Sequence, residues 1–145
     1  MPTTQRTRTI DAPAGDVWEL ISDPHHLPRW WPRVARVEGV EQDAFTEVLA
    51  SPRGRLVRAD FQVVAADEQG LVLRWDQRIV DTPFARLLSS AVTELRLEPA
   101  GRATKVTIEL RQKLQGVFAN LGASRVRRAA RATLDEALDG LERIV

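Results

Sequence analysis

The chain of 145 residues contains no cysteine. Disulfides, thiolate metal sites and cysteine nucleophiles are thereby excluded. It also lacks any apolar run approaching the roughly 20 residues that span a bilayer. Its opening, MPTTQRTRTI, has no apolar core of the kind a signal peptide needs. A cytoplasmic protein is expected, in keeping with the missing cysteine. An excess of one charge is lacking too: 21 basic and 20 acidic residues leave a formal net charge of +1, so no long-range field recruits nucleic acid. No G-x-S-x-G, P-loop, dinucleotide fingerprint, H-E-x-x-H or clustered metal ligands occur, so hydrolase, nucleotide and metal chemistry have no basis here and no cofactor is expected. Repeats, linkers and low-complexity segments are absent. What remains is an ordinary globular composition, 43% hydrophobic and 28% charged, that predicts one domain over residues 1–145 with a sizeable core.

The stretch that organises the rest is the last, Val117 to Val145. From Val126 onward, Ala129, Ala130, Thr133, Leu134, Ala137, Leu138, Leu141, Ile144 and Val145 recur three and four residues apart. This spacing makes one apolar stripe on a helix, with Arg128, Arg131, Asp135, Glu136, Asp139, Glu142 and Arg143 on the other side. A helix of this kind needs an apolar surface to lie on.

The remaining chain supplies one. Thr3 to Ile10 reads as a strand. Pro13 suits the first turn of a short helix capped near Asp11 or Ala12, with Val17, Trp18, Leu20 and Ile21 as its apolar face and Ser22-Asp23-Pro24 as its stop. His25 to Pro32 (HHLPRWWP) holds two prolines and two tryptophans, which predicts a short helical turn pinned by its aromatics. Strands follow near Val34–Val40, Ala44–Ala50, Leu56–Ala66, Leu71–Val80, Leu87–Glu98 and Thr104–Lys113. The separators SPRGR, DEQG, DTPFA and PAGRA are turn chemistry short enough for hairpins, so the strands form an antiparallel meander.

Alternation selects the inner face. Val57, Ala59, Phe61, Val63 and Ala65 alternate with Arg58, Asp60 and Gln62. Leu71, Leu73, Trp75, Gln77 and Ile79 alternate with Arg74, Asp76 and Arg78. Val106, Ile108, Leu110 and Gln112 repeat the pattern, and Thr93, Leu95 and Leu97 are the matching set between them. The charged residues are expected outside, with Asp60, Asp76, Arg58, Arg74 and Arg78 in cross-strand ion pairs. A sheet with one apolar face and a helix with one apolar stripe are satisfied together when the helix lies across the sheet.

With these residues in view, IDAPAGDVWELISDPHHLPRWWPRVARVE resembles the opening of the bacterial polyketide cyclase/dehydrase branch of the START-like helix-grip superfamily, and PAGRATKVTIEL resembles that family's final hairpin. The resemblance covers essentially the whole chain. It implies an α+β fold: a seven-stranded curved antiparallel sheet wrapped around a long C-terminal helix, two short helices after the first strand, and a cavity between sheet and helix. It carries no catalytic signature, because family members bind or transform many unrelated lipophilic molecules.

The ligand-binding residues expected for such a cavity are Trp30, Phe61, Trp75, Gln77, Thr93, Gln112, Phe118 and Leu121. Gln77 and Gln112 either orient a ligand carbonyl or hydroxyl or meet water at the end of the sheet. Trp30 and Trp31, being adjacent, point differently; one is core, and the other either forms the rim or is core as well. Phe118 and Leu121, bracketed by Gly116 and Gly122, form either a lid or an irregular start to the helix. His25 and His26 make a poor metal site and read as a surface loop or as a base at the cavity mouth. Arg125, Arg127, Arg128 and Arg131 read either as a cluster that meets an anionic partner or phosphate or as a solvated, salt-bridged face, the latter favoured because Asp135 is placed to neutralise Arg131 at i+4. The leading expectation is a small hydrophobic partner, lipid-like, aromatic or polyketide-like. The alternatives are a polyketide cyclase/dehydratase-type enzyme, marked by a titratable residue inside the cavity, and a protein-interaction module using the helix surface or the first strand's edge. Monomer and homodimer both remain open.

Overall fold

A computed structural model of the protein describes residues 3–116 and 122–145. Seven strands form one antiparallel sheet: β1 (Thr3–Ile10), β2 (Val34–Glu38), β3 (Ala44–Ala50), β4 (Leu56–Asp67), β5 (Val72–Gln77), β6 (Leu88–Ala100) and β7 (Ala103–Leu114). Their order across the sheet is β1-β7-β6-β5-β4-β3-β2. The meander therefore runs from β2 to β7, and β1 returns to pair with β7 from Thr3 opposite Arg111 to Ile10 opposite Thr104. The hairpin between β6 and β7 closes with Ala100 opposite Ala103. Gly101, at φ +65°, takes the left-handed conformation that so tight a turn needs.

Between β1 and β2 lie α1 (Ala14–Ser22), a 3-10 turn (Pro24–His26) and α2 (Leu27–Trp30). Pro13 is itself the N-cap of α1, in extended conformation and with no side-chain cap, so neither Asp11 nor Ala12 takes that place. The second long element of the fold is α3 (Ala123–Ile144), whose buried residues are Ala130, Leu134, Ala137, Leu138, Gly140 and Leu141. It packs on α2 and β1 and touches β7. The stripe read from the sequence supplies the buried face from Ala130 to Leu141, with Gly140 added to it, whereas Ala129 and Val145 are exposed.

Three details depart from the sequence reading. A bulge between Val63 and Ala65 shifts the phase of β4, so that Ala66 rather than Ala65 stands opposite Leu73. Leu71 is a turn residue at φ +57°, and β5 stops at Gln77. The outer charges also choose other partners. Arg58 pairs with Glu38 at 2.5 Å and Arg74 with Glu94 at 2.5 Å, while Asp60 accepts a hydrogen bond from Thr46 Oγ1 at 2.6 Å. Asp135 pairs with Arg6 of β1 at 3.2 Å rather than with Arg131, and Arg8 bonds Asp139. The acidic side of α3 is thus tied to the arginines of the edge strand.

Candidate functional site

Most of the buried apolar side chains among the described residues fall into two groups. The larger joins Ile10, Leu27, Trp30, Phe45, Trp75, Leu95 and Ile108 to Leu134, Leu138 and Leu141 of α3. The smaller comprises Ile79, Leu88, Ala91 and Leu114, with Phe84 and Val126 against it. A cavity of about 530 Å³ is lined from both groups, by the inner faces of β3 to β7 and by Val126, Ala129, Ala130 and Thr133 on the N-terminal half of α3. Small residues explain the space. Ala59 and Ala91 on the sheet and Ala129 and Ala130 on the helix all line the cavity, and these short side chains do not fill the gap that leucines close at the other end of α3.

One wall is aromatic. Phe45 and Phe61, directly opposite each other on β3 and β4, stack at 5.2 Å and 8° between ring planes. Trp75 meets Phe45, Phe61 and Trp31 edge-on at 5.5, 6.5 and 5.9 Å. Such edge-to-face contacts hold large flat surfaces in fixed orientation.

Besides hydroxyls such as that of Thr93, two amides and one carboxyl interrupt the cavity wall. Gln112 stands opposite Ala91, and the pairing of Asp76 with Val92 sets Gln77 on the other side of Ala91. The backbones of Gln77 and Gln112 are thus two strand spacings apart, roughly 10 Å. Gln77 Nε2 and Gln112 Oε1 are buried without a hydrogen-bond partner. By rotation each amide can present a donor or an acceptor to whatever enters.

The third polar group is Glu47, opposite Ala59 and 3% exposed. Burial alone pushes its carboxyl pKa up to about 8, since no described side chain compensates the desolvated anion. Among the described residues the only other charge on the wall is Arg33. Arg33 is exposed, has a left-handed backbone at φ 67° and makes no ion pair with Glu47.

Of the residues anticipated from sequence, Phe61, Trp75, Gln77, Thr93 and Gln112 are together on this cavity. Trp30 is not: it is 2% exposed in the larger core group, edge-on to Trp31 at 5.4 Å, and Trp31 is the tryptophan on the wall. The reason is the end of α2, where Trp30 is the last helical residue facing α3 and Trp31 turns to extended backbone at ψ 131°. Phe118 and Leu121 lie outside the described residues. His25 is held by Asp23, with Nδ1 at 2.8 Å from the carboxylate, and neither histidine lines the cavity. No group of three or more metal-ligating side chains occurs among the described residues, and no described helix is long and apolar enough to cross a membrane.

Glu47 escaped the sequence reading because AFTEVLA is apolar on both faces: Phe45 and Leu49 alternate with Ala44 and Val48. Pairing resolves the ambiguity. Odd-numbered residues of β3 oppose odd-numbered residues of β4, and the inner set of β4 there is odd.

The family model described as polyketide cyclase / dehydrase and lipid transport matches residues 1–145. The chain belongs to this family. No curated protein sequence matches it. Solved structures agree on the helix-grip architecture expected of a family member. A START superfamily protein from Mycobacterium smegmatis is 14% identical with a TM-score of 0.78, over 97% of this chain and 94% of its own. TTHA0849 from Thermus thermophilus is 22% identical with a TM-score of 0.79, over 98% and 95%. The di-domain ARO/CYC BexL from the BE-7585A biosynthetic pathway is 20% identical with a TM-score of 0.81, the chain covering 99% of itself and 46% of BexL. At these identities the likeness is one of fold.

Proposed function

We propose that this family member binds a small hydrophobic molecule in the cavity between the sheet and α3. The observation that carries the reading is an aromatic wall bearing two buried amides with unpartnered atoms. Apolar contact supplies the affinity. A ligand that hides about 300 Å² of apolar surface gains roughly 7 kcal/mol at about 25 cal/mol per Å², against an association cost of at least ~4 kcal/mol. Trp31, Phe61 and Trp75 furnish that contact, while Gln77, Thr93 and Gln112 give direction to polar groups on the ligand.

A second reading, a cyclase or dehydratase acting on a polyketide-like substrate, is favoured by Glu47, a titratable group on the cavity wall. A carboxyl poised near neutral pH can take or give a proton in such a reaction. The first reading is tested by titrating a panel of neutral aromatics and lipids against tryptophan emission, with Trp75→Ala as comparison. Saturable changes that weaken at least tenfold in Trp75→Ala agree with it; affinity unchanged in Trp75→Ala contradicts it. Turnover that disappears in Glu47→Gln while binding persists would select the second reading.

A further inference from the structure

A carboxyl that is 3% exposed ordinarily has a cation or several hydrogen-bond donors around it. Glu47 has neither. It makes no side-chain hydrogen bond or ion pair among the described residues. Its surroundings hold little to change that. β4 turns Val57, Ala59 and Phe61 toward the cavity, and the wall residues of β5, β6, β7 and α3 are apolar, amide or hydroxyl. Arg33, preceding β2, is the one other charge on the described wall, and it is exposed to water. An isolated anion in this position is costly, whereas an un-ionised acid is both a donor and an acceptor.

We propose that Glu47 is the polar anchor of the cavity: as an un-ionised acid it donates a hydrogen bond to a carbonyl or hydroxyl oxygen of a neutral hydrophobic ligand, and loss of that proton releases the ligand. This rests on the ligand-binding reading above and adds the ligand's charge class and its coupling to pH. The other polar atoms favour a neutral ligand. Gln77 and Gln112 are uncharged partners for oxygen functions. A bound ammonium would need Glu47 ionised, and would share the cavity with the like charge of Arg33. A ligand carboxylate would add a second acidic group beside Glu47.

The probe is prodan, a neutral naphthyl ketone whose emission reports a dry environment. Its Kd is measured with the wild-type protein and Glu47→Gln from roughly pH 6 to pH 10, far-UV circular dichroism confirming the fold at each point. With Glu47 titrating at about 8, wild-type Kd rises about tenfold from pH 7 to pH 9 and about a hundredfold by pH 10, because only the protonated form binds. Glu47→Gln, which keeps a donor of the same shape, binds with nearly constant Kd throughout. The wild-type profile alone decides the matter if the variant does not fold. Saturable binding that is independent of pH in the wild type overturns the anchor and leaves the ligand-binding reading standing. Weak prodan binding accompanied by tight binding of an aryl quaternary ammonium that strengthens as pH rises through 8 overturns it in favour of a cation site. Failure of prodan and of the whole neutral panel to bind removes both readings.

Discussion

A Cβ on Gly140 would collide with the carbonyl oxygen of Trp30, and the Trp30 Cα lies 2.9 Å from the place it would take. The only residue that fits at this crossing of α3 and α2 is glycine. The same contact holds the end of α2, and so the turn that sends Trp30 into the core and Trp31 to the cavity wall. Gly140→Ala gains roughly 1 kcal/mol of helix propensity but must push the two backbones apart, which costs about 1–3 kcal/mol or more. Net destabilisation in chemical denaturation is expected, with ligand affinity reduced through Trp31. An unchanged or raised midpoint would show that the helices separate easily.

Glu47 makes a prediction about stability that needs no ligand. Its pKa is raised from 4.5 to about 8, so between these values the unfolded chain releases a proton that the folded chain keeps. Stability therefore falls as pH rises from 4.5 to about 8 and this contribution is constant above. Glu47→Gln removes the penalty. At neutral pH the variant should be more stable by an amount on the order of 3 kcal/mol, a rise of several degrees in Tm. The difference should shrink toward pH 4.5, the unfolded-state value. Equal Tm differences at acid and neutral pH would place Glu47 in contact with a compensating charge.

The outer face of the sheet behaves in the opposite sense. Arg74 and Arg96 bond Glu94, and Arg96 and Arg111 bond Glu109. Burial works to raise the pKa of Glu94, but the bonds from Arg74 and Arg96 prevail and hold it below 4.5. The Arg111 hydrogen bond leads the same result at Glu109. Folded-state values below the unfolded ones mean stability that is present above pH 4.5 and lost as the pH falls through the lowered values. Glu94→Gln with Glu109→Gln should flatten the acid limb of the stability profile. An acid limb unaltered in this double variant would assign the loss to other carboxylates.

These charges illustrate what the sequence carried and what it withheld. Strict alternation in β5 and β7 put Trp75, Gln77, Leu110 and Gln112 on one face without any knowledge of partners, because a single strand's pleat decides it. The partners of Arg58 and Asp60 depended on register, and Glu38 and Thr46 reach them only through the pairing of three separate strands. Ala65 was misplaced by a bulge, which no local pattern announces. Glu47 lay in a strand apolar on both sides, where only the neighbour's register breaks the tie. Trp30 and Trp31 could be told apart only by where α2 ends. The fold was legible because periodicity is local; the cavity was legible in part, because its walls are set by pairing between distant residues.

Ala59 offers a way to fill the cavity without replacing any of its polar side chains. It is buried, lines the cavity and stands opposite Glu47 on the inner face, so phenylalanine there takes up cavity volume beside Glu47. Ala59→Phe should keep the circular dichroism spectrum and Tm within a few degrees, and lower affinity for neutral aromatic probes by at least about tenfold, as a site loses ligands when its volume is filled. Undiminished affinity would put the ligand elsewhere on the molecule.

The most direct test of the account is native mass spectrometry of freshly purified protein, followed by denaturation and identification of what is released, with Ala59→Phe prepared in parallel. The account predicts that wild-type protein accepts one neutral, oxygen-bearing hydrophobic molecule per chain, co-purified or added from a panel of lipids and aromatics, and that Ala59→Phe does not. Unliganded masses for both proteins, with no panel member shifting tryptophan emission in the wild type, would contradict it.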